Sequence, residues 1–296
     1  MRHTRSLFFV AALCLILPAI LPAQEHGPLE LTSRLGRKLY AQTEDAGITA
    51  ARAKLSGRTP AAADYLALSL AQAGRRQYRE AVKTDTEGLG KFPDNADLLL
   101  ERGHRELGLR EFVAAQKDLE HAVQVDPARL DSHYHLGLAH YFQGQFAEAA
   151  LHFGHARDLA RTDDSLIDCS NWLYVSFRRA GKQNEAAEVL TRITPAVHNT
   201  EPHLAFYLRL LRFYQGKMTE QQILPAKPAA GDTEAELAYN TIRYGVGNWR
   251  LYNGDRLGAV PFFESVVAGE AWNSWGFAGA ELELAHSRST LAPKGR

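Results

Sequence analysis

The chain has 296 residues, 34 basic side chains against 34 acidic ones, 45% hydrophobic content and two cysteines. That balance describes a chain able to pack a globular core, and it lacks the basic surplus that draws proteins to nucleic acid. The first stretch stands apart. Arg2 and Arg5 open it, Leu7 to Leu21 is almost unbroken apolar sequence, and Pro22-Ala23 brings a small residue before Gln24. This apolar run is shorter than the roughly 20 residues needed to cross a bilayer, so residues 1–23 read as a secretory signal peptide cut after Ala23. Cys14 follows Leu13 and not the small residue of a lipid-attachment site. The expected product is periplasmic or secreted, with no stable membrane span. It retains 32 basic against 34 acidic residues and a single thiol, Cys169, so no intramolecular disulfide can form.

Residues 24–61 suggest a helix pair, from Leu29 to Ala41 and from Glu44 to Leu55. A fixed period then governs the chain. The segments QYREAV, EFVAAQ and QFAEAA begin at Gln77, Glu111 and Gln145, 34 residues apart, and the same step carries Pro93 to Pro127. It aligns Tyr78 with Phe112 and Phe146, Ala81 with Ala115 and Ala149, and Gly88 with Ala122 and Ala156. An aromatic residue, a small one three later and another small one seven beyond describe a helix pair. The small residues share a helix face where a neighbour approaches closely, and the aromatic fills the turn. Regular repeats follow at 62–95, 96–129 and 130–163, with a fourth at 167–200 after a three-residue slip. A fifth begins near Pro202, but Pro225 and Pro228 cut its second helix short. A sixth resumes near Asn240 with Gly247, Gly254, Ala259 and Phe263, and Trp275 to Arg288 makes an unpaired final helix.

The tract from His135 to Ala156, HLGLAHYFQGQFAEAALHFGHA, resembles the tetratricopeptide-repeat (TPR) family through Leu136-Gly137, Gly144, Phe146, Ala149, Phe153 and Ala156. His133 stands at the family's frequent tryptophan and His140 at its tyrosine. The resemblance extends over about residues 30–288, strongest at 62–163. It implies an all-α, right-handed solenoid of about six to seven helix pairs, capped by the last helix. The tract around Gly247-Asn248-Trp249 and Ala271-Trp272-Asn273 is similar to the last repeat of exported bacterial TPR proteins.

TPR solenoids commonly bind a protein or peptide in the concave groove lined by the first helix of each repeat. In this register the groove candidates are His104, Tyr134, Leu138, Tyr141, Asn171, Trp172, Val175 and Arg178. Arg178-Arg179 is placed to pair an acidic or terminal carboxylate. The chain has no HExxH, CxxC, GxSxG or phosphate-cradling glycine loop, so it reads as a scaffold or adaptor and not an enzyme, without cofactor or metal. Two alternatives stand beside that reading: a metal-dependent hydrolase around His133, His135, His140, His152 and His155, and a self-assembling structural protein. Register speaks against the histidines as a designed site, because His121 and His155 are repeat equivalents, and equivalent positions on adjacent helices lie about 8–10 Å apart.

Overall fold

The computed structural model describes residues 27–56 and 59–291. The signal-peptide segment, residues 1–23, lies outside them. The first element departs from expectation. Instead of a helix over 29–41 there is an antiparallel hairpin, β1 (Leu29–Thr32) and β2 (Lys38–Tyr40). Leu31, Leu35 and Leu39 mimic a helical i, i+4 stripe, but the turn chemistry wins. Gly36 sits at φ +87°, and the Ser33 hydroxyl accepts from the backbone N–H of Leu35 at 3.2 Å and of Arg37 at 3.1 Å. Leu31 and Leu39 then point together into the core.

Helix α1 (Ala46–Ser56) follows alone. The stacked pairs are α2 (Ala62–Gly74) with α3 (Tyr78–Leu89), and α4 (Ala96–Gly108) with α5 (Phe112–Val125). Next come α6 (Leu130–Phe142) with α7 (Phe146–Leu159), and α8 (Asp163–Arg179) with α9 (Gln183–Thr191). The small repeat residues Ala81, Ala115, Ala149 and Ala186 are fully buried, as close helix approach requires. In the fifth pair a short 3₁₀ turn, Pro202–Leu204, leads into α10 (Ala205–Tyr214), and α11 (Glu220–Ile223) stops before the two prolines. The chain ends with α12 (Thr233–Tyr252), α13 (Arg256–Val267) and α14 (Trp275–Leu291). The fold is an all-α solenoid with one small hairpin.

The turn inside each pair needs one residue with positive φ. Glycine supplies it in the later pairs, at Gly144 (+77°) and Gly181 (+76°). In the first two pairs the equivalent residues are Arg76 (φ +56°) and Arg110 (φ +66°). Both arginines reach across to the C-terminal part of the chain. Arg76 Nη1 donates to the Glu270 carbonyl at 3.3 Å, and Arg110 Nη2 to the Trp272 carbonyl at 3.0 Å.

These contacts belong to a closure that the sequence did not predict. Trp272 Nε1–H donates to the Tyr40 carbonyl at 3.2 Å, and the Trp272 ring packs edge-on to Tyr78 at 5.3 Å. Arg37 Nη1 donates to the Val267 carbonyl at 2.9 Å. The hairpin, the turns of the first repeats and the tract before α14 are thus joined, and the solenoid curls back on itself. Beyond capping the stack, α14 enters the concave side, where Phe277, Ala278, Ala280 and Leu284 are buried.

Candidate functional site

The groove expected to receive a partner is largely filled by the chain's own α12 and α14. Tyr141 is buried; its hydroxyl lies 3.0 Å from the Tyr244 hydroxyl and accepts from Asn248 Nδ2 at 2.7 Å. Trp172 is buried among Tyr141, Phe153 and Tyr244, with ring centroids at 5.2, 6.1 and 6.4 Å. Leu138, Val175, Asn171 and Tyr134 are buried as well, and the Tyr134 hydroxyl donates to Asp168 at 2.9 Å. Arg178 donates to Asn253 at 2.7 Å and lies 4.4 Å over the Tyr252 ring, while Arg179 pairs with Glu283. Six of the eight predicted contact residues are therefore interior, and the two arginines already have partners. The physical reason is apolar demand: helix periodicity marks these faces as needing burial, and the C-terminal helices supply it.

Close approach of the filling helices depends on glycine. A Cβ on Gly276 would meet the Asn240 carbonyl oxygen at 2.6 Å, and one on Gly279 the Tyr244 ring at 2.4 Å. One on Gly245 would strike Leu210 at 2.5 Å. The pairs Gly245/Gly247 and Gly276/Gly279 were the signal of this packing in the sequence, read there only as repeat template or not at all.

Of the predicted set, the buried Tyr141 borders an opening with Arg179 and Glu283, and the less buried His104 faces another. It is half-buried, its ring tilted 40° to that of His135 at 4.2 Å and beside Trp275 at 5.4 Å. Burial, with Arg105 and His135 adding to it, pushes the His104 imidazole well below its usual range, so it is neutral at pH 7. The opening is a cleft of about 590 Å³ between the inner helices of the first two repeats, α10, α12 and the start of α14. Its apolar wall comprises Leu70, Phe206, Tyr207, Leu237 and Trp275, and Leu70 is 45% exposed. Its polar side holds Arg76 and Arg105, and the buried Arg105 Nε and Asn273 Oδ1 have no hydrogen-bond partner. A second opening shares Arg76 and adds Arg37, Lys38 and Arg75 against the single carboxylate of Glu270. Sequence reasoning missed this cleft because its walls come from repeats one, two, five and six, which no local pattern links.

Beneath the filled groove, Asn171 Oδ1, Trp172 Nε1 and the Tyr214 hydroxyl lack partners and border one small internal cavity. Asp168, beside Tyr134, has its pKa raised to about 7, because burial outweighs the hydrogen bond from Tyr134. Cys169 is buried and its thiol is pushed well above its usual range by the same desolvation, which makes it an unreactive packing residue.

The histidines are closer than the register argument allowed. His133 Nδ1 and His152 Nδ1 are 3.3 Å apart, His140 stacks parallel to His152 at 5.3 Å, and His155 lies 5.2 Å from His133. They meet across one helix pair, α6 with α7, and not between equivalent positions of adjacent repeats. His135 is elsewhere, against His104. Among the described residues no group of three histidine, cysteine or carboxylate side chains is arranged to hold a metal ion, and no helix is long and apolar enough to cross a membrane.

No family model matches the chain. It is 34% identical over 74 residues to the small glutamine-rich tetratricopeptide repeat-containing protein 2 of Saccharomyces cerevisiae, a match covering 25% of this chain and 21% of that protein. The chain thus spans about a fifth of that relative's length. Among solved structures, a tetratricopeptide repeat protein from Parabacteroides merdae is 14% identical with a TM-score of 0.51, covering 81% of this chain and 90% of that one. A structure of MamA is 14% identical with a TM-score of 0.46, covering 60% of this chain and 99% of that one. The 34-residue register, the stacked helix pairs and the likeness to the Parabacteroides protein together show that this chain has a tetratricopeptide-repeat solenoid fold.

Proposed function

We propose that the protein is a non-catalytic scaffold that binds a protein partner, taking an acidic and apolar segment of it into the cleft beside His104. One observation carries this reading. The cleft joins an apolar wall at Leu70 and Trp275 to Arg76, which it shares with an adjoining opening that carries Arg75, Arg37 and Lys38 beside the carboxylate of Glu270. Apolar area supplies affinity there, and the basic excess of the adjoining rim, where Arg75 already lies 3.7 Å from Asp45, selects for negative charge. The apolar run behind Arg2 and Arg5 supports action outside the cytoplasmic membrane, in the periplasm or the medium.

The test is a displayed library of random peptides selected on the purified protein. Acidic, aliphatic or aromatic peptides should be enriched, should bind more weakly as salt rises, and should be lost in Leu70→Asp. Val113→Asp, on the 75% exposed outer residue Val113, should leave them bound. Enrichment of basic peptides, or binding indifferent to Leu70→Asp, would overturn the assignment.

A further inference from the structure

Four imidazoles gather at the seam between α6 and α7, away from the cleft, and neither the closure of the solenoid nor the cleft uses them. We propose that His133 and His152 chelate a divalent ion of the zinc type across this seam, clasping the two helices of the third pair, with water completing its shell.

The first argument is distance. Two nitrogens bound to one tetrahedral zinc at about 2.0–2.1 Å stand roughly 3.3 Å apart. His133 Nδ1 and His152 Nδ1 stand at 3.3 Å. The second is orientation. His133 Nε2 lies 3.1 Å from the Pro127 carbonyl, an acceptor only, so this nitrogen carries the proton and Nδ1 keeps its lone pair towards His152. A carbonyl holding the far nitrogen of an imidazole is the outer-shell arrangement that fixes metal-binding histidines. His140 is fixed in the opposite sense: its Nδ1 lies 2.6 Å from Gln145 Oε1. With that proton donated to Gln145, its Nε2 is left as the lone-pair nitrogen. Without an ion, the proton on His152 Nδ1 is donated to His133 Nδ1; with one bound, that proton sits on His152 Nε2, so the exchange is a tautomer change with no net proton released.

The third argument is chemistry and access. An all-imidazole cluster with no carboxylate favours zinc, copper or nickel over magnesium or calcium. His133 is buried, His152 is half-buried and His155 is exposed, which leaves a path from solvent. Because no third side chain is pre-arranged among the described residues, the preformed part is the two-nitrogen bite, and His155, 5.2 Å from His133 between ring centroids, is the nearest further imidazole.

The experiment is a zinc titration of the chelator-treated full chain, followed by competition with a chromophoric indicator and by the visible spectrum of the cobalt(II) form. We expect one saturable site per chain at neutral pH, an imidazole-type cobalt spectrum, and a zinc-dependent rise in the urea midpoint that magnesium does not produce. His133→Ala and His152→Ala should each abolish all three, while His198→Ala, an exposed histidine far along the chain, should not. Should either alanine variant fail to fold by circular dichroism, His133→Gln or His152→Gln takes its place. A chain that binds no zinc, or binds it equally with His133 and His152 both replaced, would overturn the proposal. Peptide binding in the cleft is a separate readout, so the two assignments fail independently.

Discussion

Arg110, in the turn between α4 and α5, donates through Nε to Glu281 of α14 at 3.1 Å, and both side chains are shut away from water, at 6% and 0% exposure. The pair joins residues 171 positions apart. The remaining Glu281 oxygen accepts from the Arg34 backbone N–H, so one carboxylate ties the hairpin, the second repeat and the last helix together. Replacing Glu281 by alanine strands a buried guanidinium and should cost about 3–5 kcal/mol. Urea denaturation measures this; a loss under about 1 kcal/mol, the value of an exposed pair, would mean that the solenoid is open in solution.

Tyr141 tests whether the groove is filled or free. With its hydroxyl removed in Tyr141→Phe, the fully buried Asn248 loses an acceptor for its amide and Tyr244 a partner. The cost should be about 1–3 kcal/mol in stability, with selected peptides still bound in the cleft. Unchanged stability with lost peptide binding would restore Tyr141 as a contact residue.

Two glycines should respond with opposite signs. Gly276→Ala drives a methyl group against the Asn240 backbone and should destabilise by about 1–3 kcal/mol. Gly154, inside α7, has nothing within 4 Å of an added Cβ, and Gly154→Ala should stabilise by about 0.5–1 kcal/mol. Thermal midpoints of the two variants decide it.

Acid should weaken the fold through His152. Burial, with His140, His133 and His155 reinforcing it, lowers its pKa to about 4 from 6.5. The folded chain holds this imidazole neutral while the unfolded chain protonates it, so its contribution is complete above pH 6.5 and is lost as pH falls from 6.5 through 4. His152→Gln should flatten the stability profile in that window. An identical slope in the variant would place the titration elsewhere.

Asp168 works in the other direction. Its folded pKa, raised to about 7 from 3.8, means that the unfolded chain ionises first, so stability drains as pH climbs from 3.8 to 7. Asp168→Asn keeps an acceptor for Tyr134 and cannot ionise. It should match the parent at pH 4 and exceed it at pH 8 in urea midpoint. No gain at pH 8 would show that the carboxyl is solvated.

The repeats were readable because a 34-residue step imposes the same packing demand each time: Ala81, Ala115 and Ala149 had to be small, and they are buried. The hairpin was not, since Leu31, Leu35 and Leu39 carry a helical spacing, and only Ser33 and Gly36 betray the turn. Periodicity also identified Tyr141 and Trp172 as apolar-face residues without saying what would cover them. That depends on α12 and α14 fitting side by side, a property of Gly276 and Gly279, with Gly245 admitting α10 against α12, and it acts across the fold and not along the chain. The cleft escaped for the same reason, because Leu70 and Phe206 share no repeat, and His133 with His152 escaped because they are neighbours within one pair.

The carboxylate of Glu281 also sets an order of events in time. During synthesis the early repeats emerge and stack first, since their contacts are local and cost little loop closure. Arg110 then has no counter-charge until Glu281 of α14 arrives 171 residues downstream, and Tyr141 of α6 has no cover until α12 brings Tyr244, 103 residues on. Until α12 and α14 are made, the nascent chain is an open array presenting Tyr141 and Trp172 to whatever is near, the kind of surface that holding chaperones bind. A truncation before α12 should leave it in that state permanently, with intact helices and a strong tendency to aggregate.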